Sequence, residues 1–293
     1  MALAPFGRRR VGVLGNDELG AYRVLRVADD GPAPAAGQFA MLAAVERWGG
    51  EQDERPHLAR AFSYARWRER EAHFLLEDVG PGTRRLGELR AGEELWLLGP
   101  LGSAFAPPAE GRRALLVGGG VGIAPLAIWQ DALCAGETHD PRGAHDSPNK
   151  HDPLGAGDRH GAPLAPALLG FRDAARAQGA GLLSAVQVAT DDGSVGHAGL
   201  VTELLADELD SDAHATVYAC GPAPMLEAVR ALCAKRAVPA QLALEAGMAC
   251  GFGACHGCVV PRRGGGYLRV CLDGPVIDAA ELDHVDAHAG APA

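Results

Sequence analysis

Four of the seven cysteines, Cys250, Cys255, Cys258 and Cys271, fall within 22 positions near the C-terminal end of a 293-residue chain. Thiolates are soft metal ligands, and C-x4-C-x2-C followed after twelve intervening residues by a fourth cysteine is the plant-type spacing for a [2Fe-2S] cluster. Zinc is the competing ligand. Structural zinc sites usually draw their sulfurs from two short Cys-Cys turns, however, and only Cys255 and Cys258 form one. Gly251, Gly253 and Gly257 alternate with the cysteines, as suits a loop that curls around an inorganic core with its amides inward. A zinc knuckle also favours glycine, so the x4 gap carries the preference for iron and sulfide. An odd cysteine count argues against a disulfide scaffold and leaves Cys134, Cys220 and Cys233 as single thiols.

A small cysteine loop cannot fold by itself, so the rest of the chain must supply its support. Apolar content of 47% and charged content of 22% are those of a soluble globular protein, and the length suits about two domains. Lys+Arg of 27 against Asp+Glu of 37 gives a net charge of -10, which excludes non-specific nucleic-acid binding through phosphate neutralisation. The opening MALAPFGRRRVGVLG places its charges after a very short apolar stretch, the wrong order for a secretory signal. The longest apolar stretch, residues 114–129, is glycine-rich, contains Pro125 and falls short of a bilayer span. A cytoplasmic protein without a membrane span is expected.

Strand-like segments at 10–14, 20–27, 38–45, 59–65, 73–79 and 94–98, separated by Gly and Pro, predict a small antiparallel β-barrel over 9–110. The pattern then changes. An apolar strand at 113–117 runs into Gly118-Gly119-Gly120-Val121-Gly122 and a helix over 123–133, the first βα unit of a nucleotide-binding parallel sheet. Ala124 occupies the last glycine position of the usual dinucleotide fingerprint, so the motif is loose. Alternating strands and helices continue this α/β domain over 111–236, with Cys220-Gly221-Pro222 at the ligand-binding edge of a strand. Residues 136–165, rich in His, Asp, Pro and Gly, read as a flexible insertion. His139, His145, His151 and His160 there lack the regular spacing of a metal site. A small cluster lobe over 237–285 and a fraying tail complete the chain. Ligation is expected to supply much of the lobe's folding energy.

Set side by side, these motifs resemble those of the electron-transfer subunits of dihydroorotate dehydrogenase B, within the ferredoxin-NADP reductase-like superfamily. Arg60-Ala61-Phe62-Ser63 is similar to the family's Arg-Pro-x-Ser, with alanine for proline, and Gly80-Pro81-Gly82-Thr83 matches its Gly-x-Gly-Thr. Gly118, Gly119, Gly120, Gly122, Pro125 and Leu126 match the nicotinamide-facing loop, and Cys220, Gly221, Pro222 and Met225 the motif beside the rings. Glu245, Met248 and the four cysteines, followed by Asp273-Gly274-Pro275, match the cluster loop; Gly247 replaces a larger polar residue.

The resemblance implies an FAD-binding barrel, a nicotinamide-binding α/β domain and a C-terminal [2Fe-2S] lobe, in that order. It implies FAD contacts from Arg60, Phe62, Ser63, Gly82 and Thr83, and an NAD+ site at the glycine loop and Cys220-Gly221-Pro222. Arg172 would approach a ribose or phosphate, and residues 190–196 would order the nucleotide pocket. No catalytic acid or base is implied, and Cys220 is a neighbour of the rings rather than a nucleophile. The implied partner is an FMN-containing catalytic subunit that oxidises dihydroorotate in pyrimidine biosynthesis, in a heterotetramer with two of each chain. Other readings are the FAD and [2Fe-2S] subunit of an NADH-dependent ferredoxin-NADP oxidoreductase or of a sulfhydrogenase, and a non-enzymatic zinc-binding adaptor.

Overall fold

The structure, a computed structural model, describes residues 7–49, 56–136 and 164–285. Six strands close a barrel: β1 (Arg9–Leu19), β2 (Tyr22–Ala28), β3 (Phe39–Ala44), β4 (Arg60–Arg68), β5 (Glu71–Glu77) and, after helix α1 (Pro81–Gly87), β6 (Glu94–Leu101). Their spatial order is β1-β2-β5-β4-β3-β6, and every pair is antiparallel. Leu25, Val27, Leu42, Phe74, Leu95 and Leu97 fill the interior. Two elements differ from the sequence expectation. Gly15, Asn16 and Asp17 read as turn residues, yet they extend β1 by pairing with Arg26, Leu25 and Val24 beyond a register shift. Gly80-Pro81-Gly82-Thr83 opens α1, a short helix within a stretch read as strands and turns, because proline is preorganised for the first helical turn.

The second half is built on β7 (Arg113–Gly119), α2 (Ile123–Ala135), β8 (Ala167–Phe171), α3 (Ala174–Ala177), β9 (Val186–Thr190) and β10 (His197–Ala198). It continues with α4 (Val201–Ser211), β11 (Ala215–Cys220), α5 (Ala223–Lys235), β12 (Ala240–Ala243), β13 (Val259–Pro261), β14 (Tyr267–Arg269) and β15 (Val276–Asp278). Seven strands form one sheet in the order β10-β9-β8-β7-β11-β12-β15. All its pairs are parallel except β12 with β15. The near-continuous apolar runs of β7 and β11 suit central strands covered on both faces.

The cysteine lobe is not a separate layer. Its β12 and β15 extend the parallel sheet, so the expected lobe boundary at 237 falls between α5 and a strand of the same sheet. A segment this short cannot enclose its own core. Val260, Leu268, Val270 and the buried Cys258 and Cys271 instead join an apolar cluster that includes Phe39, Met41 and Leu101 of the barrel.

Barrel and sheet are clamped by charged and polar groups. Arg66 donates to Asp131 on α2 at 2.6 Å and to the Leu182 carbonyl at 2.5 Å. Arg176 donates to Glu77 at 2.9 Å, and the Ala21 amide to the Ala175 carbonyl at 3.1 Å. The insertion expected at 136–165, with its four histidines, lies outside the described residues apart from its ends. Most of the expected C-terminal tail does too.

Candidate functional site

Three sets of residues expected to bind cofactors lie along the contacts between barrel, sheet and cysteine loop. On the barrel, Arg60, Phe62 and Ser63 are half-buried on β4. A Cβ on Gly82 would sit 2.8 Å from Arg60 Nε and 3.0 Å from its Cγ. Only glycine lets the guanidinium lie this close to the first turn of α1. Thr83 Oγ1 accepts from the Val79 and Gly80 amides at 2.9 and 3.0 Å and donates to the Gly80 carbonyl at 3.0 Å, so the hydroxyl ties the helix start to the segment leaving β5. A cation held against glycine backbone is a seat for phosphate oxygens, and the guanidinium fork can meet two of them. Ala61 and Ser63 pair with Met41 and Phe39 and share their outward face of the barrel wall.

In the sheet, chain order reverses between β7 and β11, so loops leaving these neighbours diverge and open a crevice at their C-terminal ends. Gly118 pairs in register with Cys220, which sets the glycine loop beside Cys220-Gly221-Pro222. The two loops are in backbone contact. A Cβ on Gly122 would lie 2.5 Å from the carbonyl carbon and oxygen of Cys220, and one on Gly119 would lie 2.6 Å from Met225 Sδ. Gly120 has φ +55, a left-handed conformation that glycine adopts without strain.

Burial, reinforced by the Glu245 carboxylate, pushes the Cys220 thiol well above its usual range. Cys220 is therefore a neutral packing group at neutral pH. Glu245 is exposed at the residue level, while the protein around its carboxyl desolvates that group and raises it. Arg172 is exposed at the end of β8. The 190–196 turn is ordered by Thr190 Oγ1, which accepts from the Val195 amide at 3.1 Å, and by Asp192, which accepts from the Ser194 amide at 2.9 Å.

The cysteine loop runs from interior to surface. Cys258 and Cys271 are buried, Cys250 is half-buried and Cys255 is exposed. The side chains of Cys258 and Cys271 interact, and so do those of Cys250 and Cys255. The Cys271 amide donates to Cys258 Sγ at 3.4 Å and the Gly257 amide to Cys255 Sγ at 3.5 Å. Burial raises the Cys250 thiol, but amides of Phe252, Cys255 and Ala254 and the Cys255 side chain outweigh it and bring the group down to about 7. Burial and the adjacent Cys258 thiol push Cys271 up to about 12. Among the described residues, no three His, Cys, Asp or Glu side chains gather around one ion position. Four thiols in two pairs, with amides turned toward sulfur, suit a cluster whose two irons take two cysteines each.

Two contacts near these residues had no signal in the sequence. Glu245 lies close enough to Cys220 to shift it. Met41 and Leu101 of the barrel lie under Gly251, beside the first cysteine.

Residues 245–283 match the family model for the iron-sulfur cluster binding domain of dihydroorotate dehydrogenase B. The chain is 34% identical over 259 residues to the dihydroorotate dehydrogenase B (NAD(+)) electron transfer subunit of Caldanaerobacter subterraneus subsp. tengcongensis, covering 86% of this chain and 88% of that one. It is 31% identical to the probable counterpart from Methanopyrus kandleri, with 89% and 86% covered. A solved structure of an NADH-dependent reduced ferredoxin-NADP oxidoreductase shares the fold, with a TM-score of 0.69 at 21% identity over 94% of this chain and 90% of that one. The ferredoxin reductase of carbazole 1,9a-dioxygenase does so with a TM-score of 0.60 at 21% identity, over 79% and 66%. No helix among the described residues is long and apolar enough to cross a membrane. With this identity sustained across both halves of the molecule, the chain belongs to the family of dihydroorotate dehydrogenase B (NAD(+)) electron transfer subunits.

Proposed function

We propose that this chain relays electrons from a separate FMN-containing subunit, where dihydroorotate is oxidised to orotate, to NAD+, in an assembly with two of each chain. The observation that carries this reading is that Cys250, Cys255 and Cys258 of one loop and Cys271 beyond β14 come together against the barrel wall, the Cys271 amide donating to Cys258 Sγ and Gly251 lying on Met41. Cys250, Cys255, Cys258 and Cys271 would hold the [2Fe-2S] cluster. Arg60 would bind the FAD pyrophosphate, with Gly82 leaving room for the contact and Thr83 fixing the helix start. Phe62 and Ser63 would line the flavin. Gly118, Gly119, Gly120 and Gly122 would carry the nicotinamide nucleotide, with Cys220, Gly221 and Pro222 closing the far side of the crevice. When bound, FAD supplies the exchange between one-electron carriers and the two-electron hydride of the nicotinamide.

The protein's own part is placement and exclusion of water. Cys220 stays protonated and packs rather than attacks. The proposed domain division is a barrel over 9–110, a sheet domain over 111–236 and a cluster lobe over 237–285 that borrows the sheet for support. Cys255 brings the loop to the surface, and Phe252 and Tyr267, 47% and 72% exposed, present apolar area on the same lobe. That face suits the catalytic subunit, because a short path for electrons demands contact there.

The test combines purified chain with the catalytic subunit and measures orotate-linked NADH formation. Cys255→Ser is expected to abolish that reaction while NADH-to-dye activity through FAD persists. Loss of both activities in a folded, FAD-loaded variant would refute the division of labour.

A further inference from the structure

We propose that Met41 is the positioning residue that sets the gap between the cysteine loop and the flavin strand. The inference rests on reading Arg60–Ser63 as that strand and the four cysteines as cluster ligands. Gly251 follows Cys250 directly and has φ +77. A Cβ there would lie 2.5 Å from Met41 Cγ, 2.8 Å from Met41 Sδ and 3.4 Å from Leu101 Cδ1. The loop backbone therefore rests on the Met41 side chain, and glycine is required both by the backbone conformation and by the space.

Within the barrel wall Met41 pairs with Ala61, between Arg60 and Ser63. The loop thus rests on the strand that is the immediate neighbour of β4 in the barrel wall. Met41 points out of the barrel, where a solvated wall would carry a polar residue, yet it is 3% exposed and belongs to the apolar cluster that includes Cys258 and Cys271. Methionine has three rotatable bonds and fills irregular gaps well.

The seat is fastened at its edge. The Ser103 amide donates to the Gly274 carbonyl at 2.6 Å, and Ser103 Oγ donates to the Val276 carbonyl at 2.9 Å. A Cβ on Gly102 would strike Pro275 Cδ at 2.5 Å. With the barrel's last strand tied to the segment after Cys271, the loop cannot lift freely, and the contact at Met41 fixes its approach. No bond forms or breaks at Met41. With FAD and the cluster bound, single electrons would cross beside Met41, two for each hydride exchanged with the nicotinamide and with a proton balancing the two-electron reduction of the flavin.

The experiment uses the complete two-subunit complex, mixed anaerobically with NADH and frozen at intervals, with the paramagnetic signal of the reduced cluster as readout. Iron and FAD content and the cluster potential are measured on the same samples. Met41→Ala is expected to slow cluster reduction by up to about 100-fold, the scale on which an ångström misplacement is felt, with potential and cofactor content unchanged. Met41→Leu, which conserves volume, is expected to restore the wild-type rate. Should Met41→Ala lose a cofactor, Met41→Val replaces it and slowing is again expected. A wild-type rate in the alanine or valine variant with both cofactors present would overturn the role of Met41. Failure of NADH to reduce the cluster in the unsubstituted complex would instead refute the flavin and cluster reading beneath it.

Discussion

Gly122→Ala isolates the contact between the two loops of the proposed nicotinamide site. Gly122 has φ -63 and ψ -8, a conformation alanine adopts freely, so backbone strain contributes nothing. The whole effect is steric. The new methyl would sit 2.5 Å from the carbonyl carbon and oxygen of Cys220 and 2.6 Å from Gly221 Cα, all backbone atoms that cannot rotate away. Overpacking of this kind costs about 1–3 kcal/mol. Because the strain is relieved by parting the glycine loop from Cys220-Gly221-Pro222, kcat/KM for NAD+ should fall by up to about 100-fold.

Two neighbours serve as controls. A Cβ on Gly119 would meet the flexible Met225 Sδ at 2.6 Å, so Gly119→Ala should be milder. Gly120 has φ +55 and nothing within 4 Å, so Gly120→Ala should cost about 1–2 kcal/mol in stability through backbone strain alone. Steady-state kinetics with NAD+ and thermal unfolding of all three variants give the ranking. A Gly122→Ala protein with unchanged NAD+ kinetics and unfolding temperature would refute the close approach of the loops.

Three further outcomes are expected. Arg60→Lys replaces a fork with a point charge, and the flavin-to-protein absorbance ratio after gel filtration should drop; full FAD retention would remove Arg60 from the site. Asp29 is 1% exposed and accepts from Arg9 through both oxygens at 2.5 Å, so Asp29→Ala leaves an uncompensated cation and should cost about 3–5 kcal/mol in denaturant unfolding; a loss below 1 kcal/mol would contradict this. Burial holds the His73 imidazole below its usual 6.5, Glu71 only partly offsetting it, while Arg26 and Arg66 repel the cation. The unfolded chain therefore takes up that proton first, and stability present at neutral pH is lost as pH falls from 6.5 through the folded value. His73→Gln should flatten the fall in unfolding temperature on acidification, and an unchanged slope would count against it.

What the sequence disclosed is what linear spacing can carry. Cys250, Cys255 and Cys258 lie on one loop, so their separation along the chain is nearly their separation in space. Gly118 to Gly122 likewise announces itself between an apolar strand and a helix. The helical start at Pro81 was legible in principle from proline followed two residues later by threonine, but two glycines beside it made the segment look like a turn. The extension of β1 through Gly15-Asn16-Asp17 was hidden because those residues contradict strand propensity and are held by pairing with β2. Contacts between distant segments left no local trace. Nothing at position 41 indicates that Gly251 will rest on it, and nothing at 245 indicates that its carboxylate will face Cys220. The lobe's dependence on β12 and β15 also emerged only from sheet order, since strands of four and three residues carry too little periodicity to be read.

The most direct test of the relay is a combined count of iron, sulfide and flavin in anaerobically purified complex, followed by NADH addition under paramagnetic resonance. The account predicts two irons and two sulfides held by the four cysteines and one FAD for each copy of this chain, with NADH producing a reduced-cluster signal that disappears in Cys255→Ser. Zinc in place of iron, or the absence of FAD from this chain, would contradict it.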